Sequence, residues 1–155
     1  MNRILVADGD PSIRLLLEEE LWGEGYEVVR IESAKDILGL IREHRPDLMI
    51  VDVAPGRVQP FDMLWKVRQA APDLPVILFT AYSLRRHTVE ALPIDYYVIK
   101  SFDLSMLKLA VKTVLRSRAA ACSRLSAPFE SPYPAYRAAS KQGVADEGDR
   151  HGIAD

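Results

Sequence analysis

Four side chains stand where apolar runs of the sequence end: Asp8 after "ILVA", Asp52 after "LMIV", Thr80 closing "PVILFT" and Lys100 closing "YYVIK". A carboxylate pair suits Mg²⁺, which prefers hard oxygen ligands and keeps several waters. A carboxylate is also a nucleophile toward phosphorus and gives an acyl phosphate. A threonine hydroxyl can hydrogen-bond a phosphoryl oxygen, and a lysine ammonium can offset its charge as a mobile point cation. Together the four read as a phosphoryl-transfer site. Each has a plainer reading: Asp10, two residues past Asp8, sits where a helix N-cap belongs, Thr80 can simply turn a strand into a loop, and Lys100 can be a solvated end.

These residues share a site only if their strands share an edge. Five β-branched or apolar runs recur, at residues 3–7, 26–31, 47–52, 75–80 and 96–100, and several are apolar on both faces, as in a sheet covered above and below. Segments of helical period lie between them. The first sets Ile13, Leu16, Leu17 and Leu21 on one face, with Asp10 at the N-cap, Pro11 at the first helical position and Gly23 and Gly25 ending it. The second places Ala34, Ile37, Leu38 and Ile41 on a stripe behind "SAKD", which reads as a capping box. Further helices are expected from about Phe61 to Ala71, Leu84 to Leu92 and Asp103 to Arg118, the last with Leu104, Leu107, Val111, Val114 and Leu115 inward. Alternating strands and helices predict a doubly wound α/β domain, a five-stranded parallel sheet with helices on both faces. In such sheets ligands bind beyond the carboxyl ends of the strands, where the four residues fall.

With 155 residues, 48% of them hydrophobic, the chain can bury one full core. The expected division is a folded domain over residues 1–118 and a flexible tail over 119–155, where periodicity fades into "SRLSAPFESPYPAY" and a charged end, with no output domain. A net charge of −2 gives no broad attraction for nucleic acid or an anionic membrane, and neither is expected as a partner. No apolar stretch approaches the roughly 20 residues that span a bilayer. The single cysteine, Cys122, and the absence of a signal-like start fit a cytoplasmic setting. His44, His87 and His151 show no metal-site spacing; Trp22 and Trp65 read as packing residues, and Lys66, Arg68, Arg85 and Arg86 as a solvated basic face.

From residue 2 to about 118 the sequence resembles the receiver domains of bacterial two-component response regulators. "ILVADGDPSIRLLL", "RPDLMIVD", "LPVILFTAYS" and "YYVIKSFD" carry the resemblance, in the family's order and approximate spacing. It implies a flavodoxin-like fold of strand order 2-1-3-4-5. It also implies that Asp52 is the phosphoacceptor, Thr80 the switch hydroxyl, Tyr97 the switch aromatic and Lys100 the phosphate-binding lysine. Mg²⁺ is the implied cofactor, held by Asp8, Asp52 and the backbone carbonyl of Ala54.

The departures matter as much. Receivers usually end the first strand with two adjacent acids, the second a direct metal ligand; here Asp8 is followed by Gly9, and Asp10 comes one place later. The metal site is therefore weakened or shifted by a residue, with Asp10 capping the helix, reaching the metal through water or partly replacing the missing carboxylate. Pro60 stands where the family often has glycine, so the loop after Asp52 is expected to be reshaped, and Ala54 offers no side chain to position a hydrolytic water. Ser101 replaces the usual cis proline; a non-proline cis bond costs about 2.5–4 kcal/mol, so a trans peptide is expected, with Lys100 aimed differently. "EALPIDYYVIK" is shorter than the family's usual connection, which points to an unusual partner.

The resemblance implies a phosphoprotein response regulator in a phosphorelay, expected to be single-domain because the tail is too short and polar to hold a DNA-binding module. Its expected partners are a histidine kinase or phosphotransfer protein, a downstream protein at the fourth and fifth helices, and a homodimer copy. One alternative is a phosphorylation-independent interaction module that keeps the fold. Another is a haloacid dehalogenase-like phosphatase, suggested by "DGD" at a strand end, though a further acidic pair on a later strand is missing and Asp52 would be idle.

Overall fold

The computed structural model describes residues 1–32, 36–53 and 59–123. Strands β1 (Arg3–Ala7), β2 (Glu27–Ile31), β3 (Leu48–Val51), β4 (Val76–Thr80) and β5 (Tyr96–Ile99) alternate with α1 (Pro11–Gly23), α2 (Ile37–His44), α3 (Gln59–Ala70), α4 (Arg86–Ala91) and α5 (Ser105–Ser123). The sheet is parallel throughout, in the order β2-β1-β3-β4-β5. It is the doubly wound, flavodoxin-like architecture expected.

Strand side chains alternate between two cores. Leu5, Met49, Val51, Val76 and Leu78 pack with Ile37 of α2 and Met63, Leu64 and Val67 of α3. Ile4, Val6, Leu48, Ile50, Ile77 and Phe79 pack with Leu17 and Leu21 of α1 and Leu107, Val111, Val114 and Leu115 of α5. Because both faces are covered, β1, β3 and β4 are apolar at nearly every position. That leaves the strand ends as the place for polar side chains.

Several local expectations are corrected. The cap of α2 is Asp36, whose carboxylate accepts from the Gly39 N–H at 3.2 Å, so the helix starts after "SAKD" and not within it. Ser33 and Ala34 lie outside the described residues. Helix α4 is shorter than expected because Arg85 and Leu92 are both extended, the latter as favoured before Pro93. Helix α5 starts later, after Asp103 accepts from the N–H and hydroxyl of Ser105, and continues past Arg118 to Ser123. Helix α3 begins at Gln59, with Pro60 in its first turn, where its missing N–H costs nothing. The reshaped loop expected after Asp52 falls on residues 54–58, outside the described residues.

Trp22 and Trp65 are exposed, not packed. Leu16 is also largely exposed, and the buried stripe of α1 runs Arg14, Leu17, Leu21. Arg68 is no part of a solvated face: its guanidinium donates to the carbonyls of Pro72 and Pro93 and to Asp95 Oδ2, tying α3 to the short α4–β5 connection.

Candidate functional site

At the carboxyl edge of the sheet, Lys100 Nζ lies 2.6 Å from Asp8 Oδ2 and 2.8 Å from Asp52 Oδ2. The three residues come from the ends of β1, β3 and β5, brought together by strand order alone. Asp8 is buried, while Lys100 and Asp52 keep partial access to solvent. The expectation that Ser101 would aim Lys100 elsewhere is overturned. All peptide bonds among the described residues are trans, yet the lysine still reaches both acids. Its backbone N–H is anchored to the Thr80 carbonyl at 2.8 Å, and its ammonium lies 5.7 Å from the centre of the Phe79 ring. Strand pairing and a long flexible stem set its direction without the proline.

Burial pulls the Lys100 pKa down, but its hydrogen bonds to Asp52 and Asp8, with their charges, outweigh this and hold it above the ordinary lysine value. The ammonium is therefore fully charged at neutral pH. Asp8 Oδ1 accepts the Asp10 N–H at 2.8 Å. Asp52 Oδ1 is buried and has no hydrogen-bond partner among the described residues.

Thr80 is fully buried; its hydroxyl donates to the Val53 carbonyl at 3.2 Å and accepts from the Tyr82 N–H at 3.4 Å. Its bonds thus run to the residue after Asp52, not to the carboxylate. Tyr97 lies further out, its hydroxyl donating to the Tyr82 carbonyl at 2.8 Å and accepting from the Leu84 N–H at 2.9 Å. Asp10 caps α1 by accepting the Ser12 N–H at 2.8 Å. Ala54 lies outside the described residues.

Sequence reasoning missed Arg14. This buried arginine donates from Nη1 to the Asp8 carbonyl at 2.7 Å and from Nη2 to Glu32 at 3.2 Å. The signal was present: a cation in register with Leu17 and Leu21, one turn beyond the cap.

A divalent cation can be tested against these groups. No set of three or more Asp, Glu, His or Cys side chains is grouped for a metal among the described residues. Two carboxylates with one orphaned buried oxygen nonetheless fit Mg²⁺, which is commonly held by one or two carboxylates, with water in its other positions. The donor set fits, with few protein ligands.

The family model for the response regulator receiver domain matches residues 4–112. The chain belongs to the response regulator receiver family. Receiver domains are signalling domains, and the match covers every described residue of the candidate site. Among curated relatives, the transcriptional regulatory protein AfsQ1 of Streptomyces coelicolor is 35% identical over 75% of this chain and 52% of its own length. A transcriptional regulator, ycf27, of Galdieria sulphuraria is 33% identical over 74% of this chain and 46% of its own. This receiver chain spans about half the length of such relatives. Among solved structures, the response regulator TrrA of Thermotoga maritima in complex with Mg²⁺-BeF is 38% identical, with a TM-score of 0.67, covering 74% of this chain and 99% of that one. TrrA has also been solved in complex with the histidine kinase ThkA; there it is 40% identical over 74% of this chain and 99% of that one, with a TM-score of 0.66. No helix among the described residues is long and apolar enough to cross a membrane.

Proposed function

We propose that this receiver accepts a phosphoryl group on Asp52 from a histidine kinase or phosphotransfer protein and signals through the surface of α4, β5 and α5. The observation that carries the reading is the placement of one ammonium on two strand-end carboxylates, with one Asp52 oxygen unbonded. A carboxylate oxygen of Asp52 attacks phosphorus, the bond from phosphorus to the donor nitrogen or oxygen breaks with its electron pair leaving on the donor, and an acyl phosphate forms. Lys100 already stands against Asp52 and moves its charge onto the phosphoryl oxygens. Asp8, Asp52 and the Ala54 carbonyl are the proposed holders of Mg²⁺, with Asp10 contributing through water. Mg²⁺ supplies charge neutralisation for the transferring group. Gly9 contributes no ligand, so the affinity is proposed to be weak.

The added charge, about −1.5 to −2, draws the Thr80 hydroxyl from Val53 toward the phosphoryl group. Tyr82 bonds both Thr80 and Tyr97, which supports carriage of that movement to Tyr97 and α4. Ile99, Met106 and Leu109 are exposed apolar residues on β5 and α5, suited to a protein partner or a second copy. We further propose that the receiver unit runs through the end of α5 at Ser123 and works in the cytoplasm.

The test is labelling with a small acyl phosphate and Mg²⁺, read by intact mass spectrometry. One added phosphoryl group is expected, absent in Asp52→Asn. No adduct with Mg²⁺ or Mn²⁺ would overturn this reading in favour of a phosphorylation-independent module.

A further inference from the structure

Arg14 places a guanidinium in the α1 core stripe, where a leucine-sized side chain would normally sit. It is 7% exposed, its stem packing in line with Leu17 and Leu21. Charges are rarely buried so completely unless their donors are satisfied. Here the rigid fork spans two elements: Nη1 takes the Asp8 carbonyl and Nη2 takes Glu32, just past β2. The Asp8 carbonyl belongs to the Asp8–Gly9 peptide, so the bond fixes the peptide next to the Asp8 side chain, one residue before the Asp10 N–H. The Asp10 N–H in turn holds Asp8 Oδ1. Gly9 has no side chain to restrain this segment, and a Cβ built there meets nothing within 4 Å.

We infer that Arg14 is the positioning residue of the site: by clamping the Asp8–Gly9 peptide from below, it holds the Asp8 carboxylate where Lys100 and Asp52 meet it, without touching the phosphoryl group. Its kinetic consequence rests on the phosphoacceptor reading; its geometric consequence does not. Lysine keeps the charge but not the fork, and methionine keeps most of the volume but neither.

The experiment compares Arg14→Met and Arg14→Lys with the wild type by amide hydrogen exchange, urea unfolding and acyl phosphate labelling. Arg14→Met is expected to speed exchange at the Asp10 amide at least about tenfold while Val111, in the α5 core, is unchanged. The maximal labelling rate is expected to fall about tenfold or more, with the half-saturating donor concentration little changed and Arg14→Lys recovering part of both effects. Asp10 exchange and labelling within about twofold of wild type, or acceleration at Asp10 matched by the same acceleration at Val111, would overturn the inference. If the wild type takes no label, the phosphoacceptor reading falls, and the Asp10 amide still decides the role of Arg14.

Discussion

Lys100 Nζ lies 2.6 Å from Asp8 Oδ2, a bond between residues 92 positions apart that closes the sheet's carboxyl edge. Lys100→Met leaves two facing carboxylates without their shared cation. Labelling at Asp52 is expected to fall at least about a hundredfold, and stability at pH 7 by roughly 1–3 kcal/mol, read by mass spectrometry and urea unfolding.

The same bond sets an alkaline limit. The folded-state pKa of Lys100 lies above the ordinary 10.5, so the unfolded chain releases this proton first as pH rises. The stabilisation is complete below that value and disappears as pH climbs through the folded one. Subtracting the unfolding free energy of Lys100→Met from that of the wild type between pH 8 and 12 should give a difference that is flat and then shrinks. A difference that grows across that range would contradict the assignment.

Gly9→Asp should fit without strain, since nothing lies within 4 Å of a Cβ there and Gly9 is not among the positive-φ glycines. Without metal, the added negative charge beside Asp8 is expected to lower the melting temperature. With Mg²⁺ the order reverses, because the affinity rises by about tenfold or more. Calorimetric titration measures this directly, and unchanged affinity would refute the account of Gly9.

Tyr97→Phe removes a hydroxyl that joins Tyr82 and Leu84 across the β4–α4 loop. A loss of about 0.5–1.5 kcal/mol is expected, together with faster exchange at the Leu84 amide. The Asp8–Lys100 contact should survive, leaving the labelling rate within about threefold of wild type while partner binding changes.

Asp95→Ala is expected to be costly, because the side chain is largely buried. Asp95 Oδ2 accepts from Arg68 at 2.7 Å and from the Val76 N–H at 2.8 Å, so its removal takes the one carboxylate from a partly buried guanidinium, which keeps its carbonyl partners, and leaves a strand donor unpaired. A loss of roughly 2–3 kcal/mol in urea unfolding is expected.

The fold was legible because a sheet covered on both faces writes itself as recurring apolar runs, and the site because parallel strands bring their carboxyl ends to one edge. Asp8, Asp52 and Lys100 needed no more than that. Helix ends were less legible, since Ser33 and Asp36 both suit a cap by residue type, and it is Asp36 that accepts the Gly39 N–H. Arg14 escaped because hydrophobic periodicity ranks Leu16 above a charged neighbour, whereas a long side chain can bury its stem and spend its head on a carbonyl. The Lys100 expectation failed for a related reason: backbone isomerism at Ser101 governs a side chain's path less than the strand that carries it.

Of the four carboxylate oxygens facing one another in the acid pair, three are already occupied as acceptors, and the remaining one, Asp52 Oδ1, is shielded from water. On the proposed function, an incoming donor must therefore either displace Lys100 from one Asp52 oxygen or reach the covered one, so the ion pair that holds the site together also governs how readily it opens.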